Sequence, residues 1–213
     1  MNMFYQASRR FFKLFFVLFY RHKIYGADSL PSGAAIIAPN HISNWDPPMV
    51  GASFPGNLSF LAKRELFDIP VLSWCIKHLN AYPVTGLASD LTSIKMIIQL
   101  LGQGKKIVIF PEGERTVDGE IGEIKTGIGM LALRSKSPII PVYISGNYEI
   151  WPINQRFPKL WGKTAIVFGN PIFINKFLEQ PKKEAQEAIA HQVATSIAAL
   201  RDWYKKGALG SIP

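Results

Sequence analysis

A single cysteine, Cys75, stands in 213 residues. One thiol cannot close an internal disulfide, and with no Cys or His partner at ligand spacing it makes no structural zinc site. Acidic residues are also few: 15 Asp and Glu against 24 Lys and Arg give a formal net charge of +9. Charged residues amount to 18% and hydrophobic ones to 48%. That balance excludes a disordered chain, because so much apolar side chain can fill a sizeable core. No G-x-G-x-x-G occurs, and the one Gly-Lys-Thr, Gly162 to Thr164, has Phe157 where G-x-x-x-x-G-K-T requires Gly. Nucleoside triphosphates are therefore disfavoured as ligands. Internal repeats and low-complexity tracts are absent, and the length fits one domain, or one domain with an appendage.

A long uninterrupted apolar run is missing too. The most apolar stretch, Phe11 to Tyr20, is broken by Lys13 and bounded by Arg10 and Arg21, whereas a helix crossing a bilayer needs about 18 apolar residues or more. No small-residue cleavage site follows Tyr20, which argues against a signal peptide. Five basic residues (Arg9, Arg10, Lys13, Arg21, Lys23) and no acidic one lie between Met1 and Ala27. Aromatic rings interleaved with cations predict an interfacial amphipathic helix, with rings at the acyl boundary and cations on anionic head groups. Residues 1–30 are accordingly read as a membrane-docking helical segment and 31–213 as the main domain. The protein is expected at the cytoplasmic face of a membrane, peripheral or monotopic. A terminal helix packed on the protein's own core is the alternative.

Past this segment, Ala34 to Ala38, Leu58 to Ala62, Lys106 to Phe110, Ile139 to Ile144 and Thr164 to Phe168 are short apolar runs bounded by Gly and Pro. They read as buried strands. Ser89 to Leu101 carries Ile94, Ile97, Ile98 and Leu101 on one face, with Ser89 and Asp90 as start signals. Pro181 to Lys206 is a terminal helix with the stripe Ile189, Val193, Ile197 and Leu200. Strands alternating with helices predict an α/β fold, a largely parallel sheet flanked by helices.

Two polar clusters follow predicted strands, where open α/β sheets place their ligands. The first is Asn40-His41-Ile42-Ser43-Asn44-Trp45-Asp46. Histidine can take a proton from an alcohol near neutral pH, and a carboxylate on its other ring nitrogen fixes the tautomer. Five residues span about 140° of a regular helix, so His41 and Asp46 can meet only across a turn. Pro47 and Pro48 favour one, since both suit the first turn of a helix starting there. Asp46 is equally suited to cap that helix, and His41 to pack in a core. No protein nucleophile accompanies the pair. Gly51-Ala52-Ser53-Phe54-Pro55-Gly56 misplaces the second Gly of a nucleophile elbow, leaving Ser53 structural. A base at His41 would then activate a hydroxyl of the substrate, which points to direct group transfer.

The second cluster is Phe110-Pro111-Glu112-Gly113-Glu114-Arg115-Thr116. Gly113 permits a tight turn with exposed N–H groups, and Arg115 offers a planar fork for two phosphate oxygens. A surface ion pair between Glu112 and Arg115 is the competing reading. His22, His78 and His191 lack any motif and read as surface or packing residues, and Trp45, Trp151 and Trp161 read as core, with an interface as the alternative.

Together the two clusters resemble the N-H-x-S-x-x-D and F-P-E-G-x-R blocks of the glycerolipid acyltransferases, in the same order. Lys63-Arg64-Glu65-Leu66-Phe67 looks like that family's second motif, Lys125-Thr126-Gly127 like a reduced Lys-x-Gly, and Ile140-Pro141-Val142-Tyr143-Ile144 like the fourth. The closest likeness is to 1-acylglycerol-3-phosphate acyltransferases. The resemblance implies that His41 deprotonates a glycerol hydroxyl with Asp46 in support, and that the hydroxyl attacks an acyl thioester. Arg115 and Lys63 would bind the phosphate of lysophosphatidic acid, with Glu112 and Gly113 shaping the loop. Where the family often has a phosphate-binding arginine, this chain has Tyr82-Pro83-Val84-Thr85-Gly86, which leaves the phosphate to Arg115 and Lys63. Neither metal nor bound cofactor is implied; acyl-CoA or acyl-acyl carrier protein is a substrate, and the N-terminal helix docks on the phospholipid surface. Glycerol 3-phosphate or another lysolipid is an alternative acceptor. A non-catalytic basic protein on membrane or nucleic acid would account for the charge and not for ordered motifs, and no nucleic-acid partner is expected.

Overall fold

The computed structural model describes residues 3–85 and 91–213. Among these, seven strands form one sheet: β1 (Lys23–Tyr25), β2 (Ala35–Pro39), β3 (Ser59–Lys63), β4 (Ala81–Val84), β5 (Lys106–Val108), β6 (Ile139–Ser145) and β7 (Ala165–Phe168). The helices are α1 (Met3–Tyr20), α2 (Asp46–Ser53), α3 (Pro70–His78), α4 (Leu91–Gly102), α5 (Gly127–Ser135), α6 (Asn147–Ile150) and α7 (Lys182–Lys205). The strand order is β1-β7-β6-β2-β5-β3-β4, with every pairing parallel except β6 with β7. The sheet is thus largely parallel and flanked by helices, as expected from the sequence.

Central strands covered on both faces must be apolar at every position, because successive side chains point to opposite sides. In β2 all five residues are buried. Ile36 joins Ile107 and Ile139 against α4, α5 and α7, including the stripe Ile189, Val193, Ile197 and Leu200. Ile37 joins Val108, Ile140, Val142 and Ile166 on the opposite face, against Phe16 and Tyr20 of α1 and Met49 and Val50 of α2. The expected helix start at Ser89 and Asp90 lies outside the described residues; α4 carries Ile94, Ile97 and Leu101 buried.

α1 packs on the protein's own core, the alternative weighed for it in the sequence, and keeps an apolar outer face. Tyr5, Phe16 and Tyr20 are buried in the body, while Phe11, Leu14, Val17 and Leu18 remain exposed. Deleting the helix would therefore uncover core, so a membrane role has to be tested by substitution on its outer face. Among the described residues no helix is long and apolar enough to cross a membrane.

Just beyond α1, His22 is buried, with Nδ1 2.8 Å from Thr164 Oγ1 and Nε2 2.9 Å from Ser53 Oγ. It ties the starts of β1 and β7 to the end of α2, which gives Ser53 its structural role. Burial, and then the charge of Lys13, lower the His22 pKa from 6.5 to about 4. The unfolded chain thus takes up a proton near pH 6.5 that the folded chain refuses until about pH 4. The His22 contribution to stability is complete above pH 6.5 and falls away between 6.5 and 4, a loss of roughly 3 kcal/mol at the acid end. Urea unfolding of the wild-type protein and His22→Gln across that window should show the difference between them shrinking as pH falls; a constant difference would contradict a neutral buried His22.

Candidate active site

β2 ends at Pro39, and the next seven residues form a turn that uses each of its polar side chains. Asn40 is buried and pairs with the backbone of Ile144: its Oδ1 accepts the Ile144 N–H at 2.7 Å and its Nδ2 donates to the Ile144 carbonyl at 3.2 Å. This continues the contact of β2 with β6 past the end of the strand. The Ser43 hydroxyl donates to the Trp151 carbonyl at 2.7 Å and accepts the Trp45 N–H at 3.1 Å. Asp46, fully buried, opens α2. Its carboxylate folds back on the turn instead of capping the helix. Oδ2 accepts the N–H groups of Ile42 and Ser43, both at 2.7 Å, and lies 2.8 Å from His41 Nδ1.

The His41 ring is stacked on Phe110, with centroids 3.9 Å apart and planes at 21°, and its side chain is 17% exposed. Of the two ring nitrogens, Nδ1 faces a carboxylate that already takes two N–H groups and so acts as its donor. Nε2 is left with the lone pair, the nitrogen able to accept a proton. Asp46 is the ring's one hydrogen-bonding partner among the described residues.

The second cluster is joined to the first through the backbone of His41. The His41 N–H donates to Glu112 Oε1 at 2.9 Å, and the Thr116 N–H donates to the His41 carbonyl at 2.9 Å. The other Glu112 oxygen accepts the Gly122 N–H at 3.1 Å. Glu112 is 4% exposed, and desolvation raises its pKa from 4.5 to about 7, against the lowering effect of the His41 and Gly122 N–H groups. Glu112 and Arg115 do not form the surface pair that was the competing reading: Arg115 Nη1 instead donates to Asn44 Oδ1. Gly113 has φ +83°, a left-handed conformation that a side chain would strain. A Cβ there would also lie 2.9 Å from Lys125 Nζ. Lys63 ends β3, exposed, at the carboxyl edge shared by β2 and β5, and makes no hydrogen bond or ion pair with the other site residues among those described.

Two residues escaped the reading of sites from sequence. Lys125 was seen only as part of a short motif, yet its ammonium lies over Gly113. Asn147, fully buried, donates from Nδ2 to Asp46 Oδ1 at 2.7 Å. It stands at the carboxyl end of β6, where the rule applied to β2 and β5 would have found it. Gly146 before it has φ +84°, and a Cβ there would sit 2.0 Å from the Lys163 carbonyl oxygen, so only glycine lets the chain turn Asn147 toward Asp46. One assignment needs correction: Trp45 and Trp151 are half-buried, but Trp161 is 67% exposed and not core. Among the described residues, no group of His, Cys, Asp or Glu is arranged to hold a metal.

The chain is similar to known proteins. The chain is 29% identical over 182 residues to the 1-acyl-sn-glycerol-3-phosphate acyltransferase of Bacillus subtilis, covering 84% of this chain and 88% of that one. It is 27% identical over 162 residues to a chloroplastic 1-acyl-sn-glycerol-3-phosphate acyltransferase of Brassica napus. The chain spans about half the length of the chloroplastic relatives from Brassica napus and Arabidopsis thaliana, 47% and 45%. The crystal structure of the 1-acyl-sn-glycerophosphate acyltransferase from Thermotoga maritima superposes with a TM-score of 0.72 at 27% identity, over 90% of this chain and 78% of that one. The acyltransferase family model matches residues 21–145, the stretch holding both polar clusters and β6. By that match, over more than half its length, the chain belongs to the acyltransferase family.

Proposed function

We propose that the protein transfers a fatty acyl group from an acyl thioester to the free hydroxyl of lysophosphatidic acid, giving phosphatidic acid. The observation that carries this reading is the 2.8 Å contact of His41 Nδ1 with a fully buried Asp46, which leaves Nε2 as the basic nitrogen. In the reaction, Nε2 takes the proton of the acceptor hydroxyl as its oxygen bonds to the thioester carbonyl carbon. The carbon–sulfur bond of the tetrahedral intermediate then breaks, and the imidazolium returns the proton to the departing thiolate. Asp46 favours the imidazolium electrostatically while it exists. No enzyme acyl intermediate is required, since no protein hydroxyl or thiol engages the His41 ring among the described residues. Neither metal nor cofactor enters the scheme.

Arg115 and Lys125 bring positive charge to the loop beside His41, with Lys63 on the same edge of the sheet, and this suits the acceptor phosphate. The names of the relatives from Bacillus subtilis, Brassica napus and Thermotoga maritima support the same acceptor. Acyl-CoA and acyl-acyl carrier protein are both chemically competent donors. The exposed apolar face of α1, flanked by Arg10 and Lys13, supports docking on an anionic phospholipid surface at the cytoplasmic side. Residues 1–30 would serve that docking and 31–213 the chemistry.

The test is the release of carrier thiol from a long-chain acyl thioester with and without lysophosphatidic acid. Release that depends on the acceptor supports the reading. Equal release with and without it, for both carriers, overturns it, and faster release with glycerol 3-phosphate or another lysolipid reassigns the acceptor. Arg115→Ala should raise the KM for lysophosphatidic acid about tenfold or more, as expected for losing a charged hydrogen bond, and leave the KM for the donor within about twofold. An equal rise in both would remove Arg115 from the phosphate site.

A further inference from the structure

The segment between α6 and β7 presents an unusual surface. Phe157, Leu160 and Trp161 are 67%, 69% and 67% exposed. Large apolar side chains on a floppy loop would be unremarkable, but this loop is internally tied. Trp151 Nε1 donates to the Gln155 carbonyl at 2.9 Å, Gln155 Nε2 to the Phe157 carbonyl at 2.7 Å, and the Lys159 N–H to the Ile150 carbonyl at 2.9 Å. Residues 152–163 contain Arg156, Lys159 and Lys163, all exposed, and no acidic residue.

The loop is also fastened to the end of α1. Tyr20 Oη donates to the Lys159 carbonyl at 2.9 Å, the Gly162 N–H to the Phe19 carbonyl at 3.3 Å, and the Thr164 N–H to the Tyr20 carbonyl at 3.0 Å. The Trp161 ring stacks on Phe19, centroids 5.2 Å apart. From Phe19 the aromatic surface continues through Phe15 to Trp45, at 5.0 Å and 5.6 Å, and Trp45 belongs to the turn between His41 and Asp46.

We propose that residues 152–163 form a second lipid-docking element, continuous with α1, that lays an anionic phospholipid surface against the protein beside the catalytic turn. The inference rests on the membrane docking of α1 argued above. Exposed aromatic and aliphatic side chains with cations and no carboxylate match the acyl boundary and head groups of an anionic bilayer. Continuity with the outer face of α1 makes one surface of the two elements. With α1 alone the contact would be a single helix lying along the bilayer. With the loop added, the protein is fixed at two points, one of them tied through Phe19, Phe15 and Trp45 to the segment that holds the proposed base.

The experiment measures partition of the full chain onto vesicles of phosphatidylglycerol and phosphatidylcholine, comparing wild type with Phe157→Ser/Leu160→Ser in the loop and Leu14→Ser/Leu18→Ser on α1. The loop substitutions should weaken partition at least about tenfold, given the free energy of burying two large apolar side chains, with an unchanged melting temperature. In a Cys75→Ser background, an environment-sensitive dye on Leu160→Cys should shift to the blue on vesicles and stay unshifted without them. If the wild type binds, the α1 variant is released and the loop variant binds like the wild type with no dye shift, the loop is not a docking element and the reading of α1 stands. Should the wild type itself stay in solution, the docking of α1 fails, and this inference with it.

Discussion

His41→Ala should reduce turnover by about a hundredfold or more in the acceptor-dependent thiol assay, the typical worth of general base catalysis. The geometry makes this a clean experiment. Among the described residues the ring has one hydrogen-bonding partner, and it is partly exposed, so its loss removes a stacking contact with Phe110 and one of the bonds to Asp46 without opening a cavity in the sheet. His41's links to the second loop run through its main chain, N–H to Glu112 and carbonyl from Thr116, and alanine keeps both. Folding and acceptor binding should therefore persist while kcat falls. Near-normal turnover by this variant would mean that the hydroxyl proton goes elsewhere, and the proposed mechanism would have to be given up.

Asp46→Ala should have the largest effect on stability. The carboxylate receives hydrogen bonds from Ile42 N–H, Ser43 N–H, His41 Nδ1 and Asn147 Nδ2, and all of these except the His41 ring belong to buried residues. A buried donor left without an acceptor costs about 1–3 kcal/mol, and three together approach the total of about 5–15 kcal/mol that holds a domain folded. The expected result is a protein that is largely insoluble or melts far below the wild type. Asp46→Asn separates structure from charge. Its one amide oxygen can stay toward Ile42 and Ser43 and still accept from His41. The new NH2 group would meet Asn147, whose own Oδ1 is buried with no hydrogen-bond partner; a flip of that amide supplies the acceptor. This variant should fold and keep the His41 tautomer but lose the charge that steadies the imidazolium. A fall in kcat of at least about tenfold, and at most the roughly 10⁴-fold seen when the tautomer is also lost, would fit. Wild-type kcat in a folded Asp46→Asn would show that the aspartate only holds the turn.

The strands legible from sequence are the five in the sheet's interior, β2, β3, β5, β6 and β7, because burial between neighbours writes an apolar run. β1 and β4 were not foreseen. They are the two edges of the sheet, with half-exposed residues such as Ile24 and Tyr82 and with Pro83 inside β4, and half-buried strands of three or four residues carry no run to notice. The antiparallel turn of β7 was equally invisible, since it depends on where the chain returns after the loop at 152–163. The site was legible where residues are close in sequence: His41 and Asp46 share one turn, and Glu112 and Arg115 one loop. Asn147 is 101 residues from Asp46 and conveys nothing by spacing. Only the position after β6 marks it.

The bonding of the His41 main chain to the loop at 112–116 bears on attempts to redesign the protein. A graft that replaces that loop to favour a new acceptor would also exchange the group receiving the His41 N–H and the one bonding its carbonyl. Selectivity and rate would then be inherited together, so chimaeras should exchange residues 40–46 and 110–126 as a matched pair, and single-loop chimaeras should be slow on every acceptor offered to them.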